Sequence, residues 1–109
     1  MLQRFYLLIL MSLLPAVLGA QTFKAYVKAG NEAFERKDYQ AALQHYSGAL
    51  ALQPDAIPIS LSYAEVAFRF HGYQQAAEQY QKVLNSPKGD NFAQALLGLG
   101  KVYQLTADY

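Results

Sequence analysis

Few side chains in this sequence could do chemistry. The only imidazoles are His45 and His71, and there is no cysteine. A transition-metal site needs several convergent ligands, yet neither histidine has a histidine or carboxylate four positions away. The absence of cysteine excludes disulfides, thiolate nucleophiles and lipid attachment through a lipobox thiol. Glu32 and Glu35 share a helix face and could form a carboxylate pair, but Lys28, Arg36 and Lys37 lie beside them. That mixture reads as a solvated charged surface. There is no G-x-S-x-G setting for a serine and no glycine-rich phosphate loop. The expectation is a non-enzymatic chain with no metal and no cofactor.

Charge narrows the partner. With 9 Lys+Arg against 8 Asp+Glu in 109 residues, the net charge is +1. A nucleic-acid binder needs a basic stripe to displace counterions from phosphates, so no nucleic-acid partner is expected. A hydrophobic fraction of 53% is enough to build a buried core and argues against disorder.

The first twenty residues have a separate purpose. Met1-Leu2-Gln3-Arg4 is short and basic, Phe5 to Leu14 is apolar, Pro15 interrupts, and Gly19-Ala20 are small. This order matches a secretory signal peptide over residues 1–20, with Gln21 as the new N-terminus. The alternative is a membrane anchor, but spanning needs about 20 apolar residues and Pro15 breaks this run. An exported protein is expected, periplasmic, outer-membrane associated or secreted.

Residues 21–109 repeat at a spacing of 34. Ala33 falls on Ala67, Phe34 on Phe68, Tyr39 on Tyr73, Ala42 on Ala76 and Tyr46 on Tyr80. A fixed period of this size signals stacked repeats. Within each unit the apolar residues recur at helical steps, as in Tyr39, Ala42, Leu43, Tyr46, Ala49 and Leu50. Helices are expected near Phe23–Arg36, Tyr39–Leu52, Pro58–Phe70, Tyr73–Asn85 and Asn91–Leu105, with no strand. Asp38 can cap the second helix, Pro58 fits the first turn of the third, and Gly72 marks the turn before the fourth.

These residues resemble the tetratricopeptide repeat, whose pattern is W-x2-L-G-x2-Y, then A-x3-F, then P over 34 residues. The first unit (23–56) offers Tyr26-x2-Ala29-Gly30-x2-Ala33, then Ala42-x3-Tyr46 and Pro54. The second (57–90) has Ala64 in place of the glycine, then Ala76-x3-Tyr80. The third (93–109) follows two extra residues, reads Leu96-x2-Leu99-Gly100-x2-Tyr103 and is incomplete. The resemblance implies an all-α, right-handed superhelical stack of antiparallel helix pairs, about two and a half repeats long. Gly30, Ala42, Ala64, Ala76 and Gly100 would supply gaps between helices, and Tyr39, Tyr46, Tyr73 and Tyr80 would fill them.

Such repeats bind proteins in a concave groove lined by the first helix of each unit. The matching positions are Lys24, Val27, Asn31 and Phe34, then Leu61, Glu65 and Phe68, then Leu97, Lys101 and Gln104. One subgroup clamps a terminal carboxylate with Lys and Asn; Asn31 fits, but Val27 stands where Lys is needed, so that function is not expected. Phe34 and Phe68 replace a ring usually found one place earlier. They either fill the same core or point into the groove. Asp108-Tyr109 resembles the opening of another helix, which would leave Leu96, Leu97, Leu99, Val102 and Tyr103 unpaired. The expectation is the front of a longer envelope protein, with the fifth helix acting as a cap as the alternative. The repeats would then bind a partner, or serve as a spacer for domains elsewhere.

Overall fold

The computed structural model describes residues 22–86, 89 and 91–107. The residues read as a signal peptide lie outside these, as do Asp108 and Tyr109. Among the described residues there are five helices and no strand: α1 (22–35), α2 (Tyr39–Leu52), α3 (Ile57–Arg69), α4 (Tyr73–Leu84) and α5 (Phe92–Thr106). From α2 onward each helix packs on the next, and α3 also meets α5. The expected spans differ from these by one residue at most. None of the described helices is long and apolar enough to cross a membrane.

The turns from α1 to α2 and from α3 to α4 are built alike. The Lys37 amide donates to the Phe34 carbonyl and the Asp38 amide to the Ala33 carbonyl, both at 2.9 Å. Thirty-four positions later His71 donates to Phe68 at 3.1 Å and Gly72 to Ala67 at 2.7 Å. This paired bonding satisfies helix-end carbonyls through one left-handed residue. That residue is Lys37 (φ 62°) in the first turn and His71 (φ 64°) in the second. Gly72, expected to make the turn, instead sits at φ −81° as the residue preceding α4. Asp38 does cap α2, accepting from the Ala41 amide at 3.2 Å.

The core runs between helix pairs in two clusters. Ala33, Ala42, Tyr46 and Val66 join α1, α2 and α3, with Ile59 and Tyr63 packed against them. Leu61, Ala64, Ala67, Ala76, Tyr80, Val83, Ala95, Leu99 and Val102 join α3, α4 and α5. Leu43 and Tyr63 touch both clusters, so the stack is continuous. Helix α3 therefore has two apolar faces: Ile59, Tyr63 and Val66 toward the first unit, Leu61, Ala64 and Ala67 toward the second.

Small residues sit where rings cross. A Cβ on Gly30 would lie 2.6 Å from the Tyr46 ring, and one on Gly48 would lie 2.6 Å from Tyr26. Ala42, Ala64 and Ala76 are fully buried. Gly100 departs from expectation: nothing lies within 4 Å of its Cβ position, and the residue is exposed. Its counterparts Gly30 and Ala64 face the second helix of their own unit, and no described helix lies there. The close approach in α5 is at Gly98, whose Cβ would lie 2.3 Å from the Tyr80 ring. Leu99 and Val102, expected to be unpaired, are buried, while Leu96, Leu97 and Tyr103 are exposed.

Candidate functional site: a groove along α1, α3 and α5

Three depressions run along the first helix of each unit. The first, about 330 Å³, is lined by Lys24, Val27, Asn31, Glu35 and Ile59, among others. The second, about 130 Å³, is lined by Asn31, Phe34, Tyr46, Ser62, Glu65 and Val66. The third, about 420 Å³, is lined by Glu65, Phe68, Arg69, Tyr80, Leu97, Gly98 and Lys101. Asn31 borders the first and second, and Glu65 borders the second and third, so the three lie next to one another in a row.

Eight of the ten residues expected on this groove line it: Lys24, Val27, Asn31, Phe34, Glu65, Phe68, Leu97 and Lys101. Leu61 does not. It is 7% exposed and belongs to the cluster between α3, α4 and α5. One helical step turns its side chain from the groove into the cluster with Ala64 and Ala67. Gln104 is exposed and lines none of the three depressions.

Phe34 and Phe68 combine both expected roles. Each is half-buried against its core cluster. Each also clasps the tyrosine that opens the next helix, Phe34 with Tyr39 at 6.1 Å between ring centres and Phe68 with Tyr73 at 5.7 Å. The remaining edge of each ring faces the groove. The Arg69 guanidinium lies 5.5 Å from the Phe34 ring centre, within cation–π range. Arg69 was not anticipated from the sequence. Its spacing of four from Glu65, at a helix end, was the available signal.

Tyrosines form the floor. The Tyr46 hydroxyl donates to the Asn31 side-chain oxygen at 2.6 Å, which fixes the Asn31 amide plane and aims its N–H groups away from Tyr46. Burial raises the Tyr46 pKa, and the Glu65 carboxylate adds to the rise. Tyr80 is pushed up to about 12 by burial and then by Glu65, against an opposing effect of Arg69. A phenol with a raised folded pKa favours folding below its ordinary value of 10, and this contribution fades as pH climbs through the folded value. Urea midpoints should therefore hold up to pH 10 and fall between pH 10 and about 12. Tyr80→Phe should flatten that fall; an equally steep fall in the variant would remove Tyr80 as its cause.

His71 serves the scaffold. His71 Nδ1 lies 2.8 Å from the Tyr73 hydroxyl, holding the left-handed turn residue against α4. Among the described residues no group of three His, Asp or Glu could hold a metal ion.

Nothing among the curated proteins matches this chain. The tetratricopeptide repeat family model matches residues 33–100. That stretch runs from the end of α1 through both tight turns to the middle of α5, and family members typically mediate protein–protein interaction without catalysis. The paired turns, the small residues under aromatic rings and this match over more than half the sequence place the chain in the tetratricopeptide repeat family.

Proposed function

We propose that this chain is an exported interaction scaffold of the bacterial cell envelope that receives an extended segment of a partner protein in the groove of α1, α3 and α5. The observation that carries this reading is the row of three adjoining depressions from Lys24 to Lys101. Val27, Phe34, Phe68 and Leu97 offer apolar contacts along it. Asn31, Glu65 and Lys101 set the orientation of the bound segment. The groove is preformed by buried tyrosines and alanines, so little ordering entropy is lost on binding.

Capture of partners from an envelope extract tests the groove. The double substitution Phe34→Ala/Phe68→Ala should abolish capture. Because both rings also clasp tyrosines, Lys101→Glu at an exposed groove position provides a control that leaves the core intact. If both variants capture as the parent does, the groove is not the binding surface. Export is tested separately by mass spectrometry of the protein from envelope fractions, where the expected N-terminus is near Gln21. An intact Met1 would overturn the signal-peptide reading.

A further inference from the structure

One position of the repeat carries a different polar group in each unit. Asn31 on α1 falls on Glu65 of α3 thirty-four residues later, and Glu65 falls on Lys101 of α5 thirty-six beyond that. All three are exposed on the groove, giving an amide, a carboxylate and an ammonium in a row. Asn31 and Glu65 stay exposed with later helices packed in place, so the row belongs to the groove and not to an uncovered helix flank. Among the described residues none of the three forms an ion pair. The Asn31 side-chain oxygen is taken up by the Tyr46 hydroxyl. Tyr80, the counterpart of Tyr46, makes no matching bond to Glu65, whose carboxylate is left for a ligand.

Between these polar rungs the groove is aromatic. Phe34 and Tyr46 line the depression from Asn31 to Glu65, and Phe68 and Tyr80 line the one from Glu65 to Lys101. Arg69 shares the latter, so that end holds two cations to one anion. Packed helices lie about 8–10 Å apart, which sets the spacing of the rungs. A polyproline II segment has three residues per turn at about 3.1 Å each, so one face returns about every 9 Å. A β-strand alternates its faces and would turn its third residue away. Polyproline II segments also dock in aromatic-lined grooves with little ordering cost, because their shape is already set.

We propose that the groove takes a polyproline II segment with a basic side chain over Glu65 and an acidic one three residues away, over Lys101 and Arg69. This rests on the groove reading above and names the chemistry of its occupant. The two residues between the charges are prolines packed against Phe68 and Tyr80. Two more prolines beyond the basic residue pack against Phe34 and Tyr46. The residue after those meets Asn31, whose amide N–H groups donate to a carbonyl and call for no charge.

The probe is fluorescein-labelled decaproline in which two residues three positions apart are replaced by lysine and glutamate. Fluorescence anisotropy with the full chain should show saturable one-to-one binding. Moving the glutamate one position along should weaken binding about threefold to fivefold, the scale of an exposed ion pair. Lys101→Glu should weaken the original peptide by about the same factor. Glu65→Lys should switch the preference, so that decaproline with two glutamates three apart binds better than the lysine/glutamate peptide. Both positions are exposed, and far-UV circular dichroism checks that the variants fold. The proposal is overturned if the lysine/glutamate peptide does not saturate, if the shifted spacing binds equally well, or if Glu65→Lys leaves the preference as it was. The groove reading is judged separately by capture from envelope extract. If capture requires Phe34, Phe68 and Lys101 while peptide charge and spacing have no effect, this proposal alone fails.

Discussion

Tyr80→Ala should destabilise the protein by about 3–5 kcal/mol, the range for truncating a large buried aromatic side chain, and should release α5 first. Tyr80 is buried at the junction of α3, α4 and α5, in one cluster with Ala64, Ala95, Leu99 and Val102. Its ring occupies the space that a side chain at Gly98 would need. Neighbours cannot collapse into the vacated volume, because the residues around it are mostly alanine and valine with nothing to extend. Total stabilities of small domains are about 5–15 kcal/mol, so this one truncation removes a large share. In a stacked array each interface contributes its own term, so α5 should open as a local unit. Urea denaturation gives the loss, and amide hydrogen exchange should show α5 unprotected while α2 and α3 remain protected. A loss under 1 kcal/mol, or uniform exchange along the chain, would contradict this role. Tyr80→Phe should retain most of the stability, since the ring fills the same volume.

The second large effect is a contrast between two glycines of one helix. Gly98→Leu should cost about 1–3 kcal/mol through overpacking. Its Cβ would lie 2.3 Å from the Tyr80 ring, which is buried in the core, so something there must shift. Gly100→Leu, two residues on, meets nothing within 4 Å. Leucine is a better helix former than glycine by roughly 0.8 kcal/mol, so this variant should be neutral or slightly stabilised. Thermal melts of the two proteins side by side give the answer. Equal losses at both positions would mean that α5 is rotated from the arrangement described here.

The glycine contrast also shows where sequence periodicity reached its limit. Two glycines two positions apart in a helix point to different neighbours, yet both fit a small-residue pattern. The family pattern selected Gly100, which matches Gly30 and Ala64 in position. Those two face the second helix of their own unit, and that neighbour is not among the described residues for α5. Gly98 corresponds instead to Ser62, which lines one depression with the tyrosine of the preceding unit, as Gly98 does with Tyr80. That tyrosine is distant in sequence, so no local pattern marks the contact. Leu61 was misplaced for a related reason. Helical spacing locates a residue to within one step of about 100°, and an α3 helix buried on two faces leaves only a narrow strip for the groove.

The duplicated hairpin of helices was legible because it rests on local physics. Apolar residues at steps of three and four fix the helices, Asp38 stops and starts the backbone hydrogen bonding, and a period of 34 repeats both. Residue size at Ala42, Ala76, Tyr46 and Tyr80 carried the packing between them. Tertiary structure decided what spacing cannot encode: which flank of α3 and α5 each side chain turns to, and which of those flanks finds a neighbour. It placed Phe34 and Phe68 partly in the core and partly on the groove, brought Arg69 over Phe34, and left Leu96, Gly100 and Tyr103 open. The reason is that burial belongs to pairs of helices, whereas a sequence pattern describes one helix at a time.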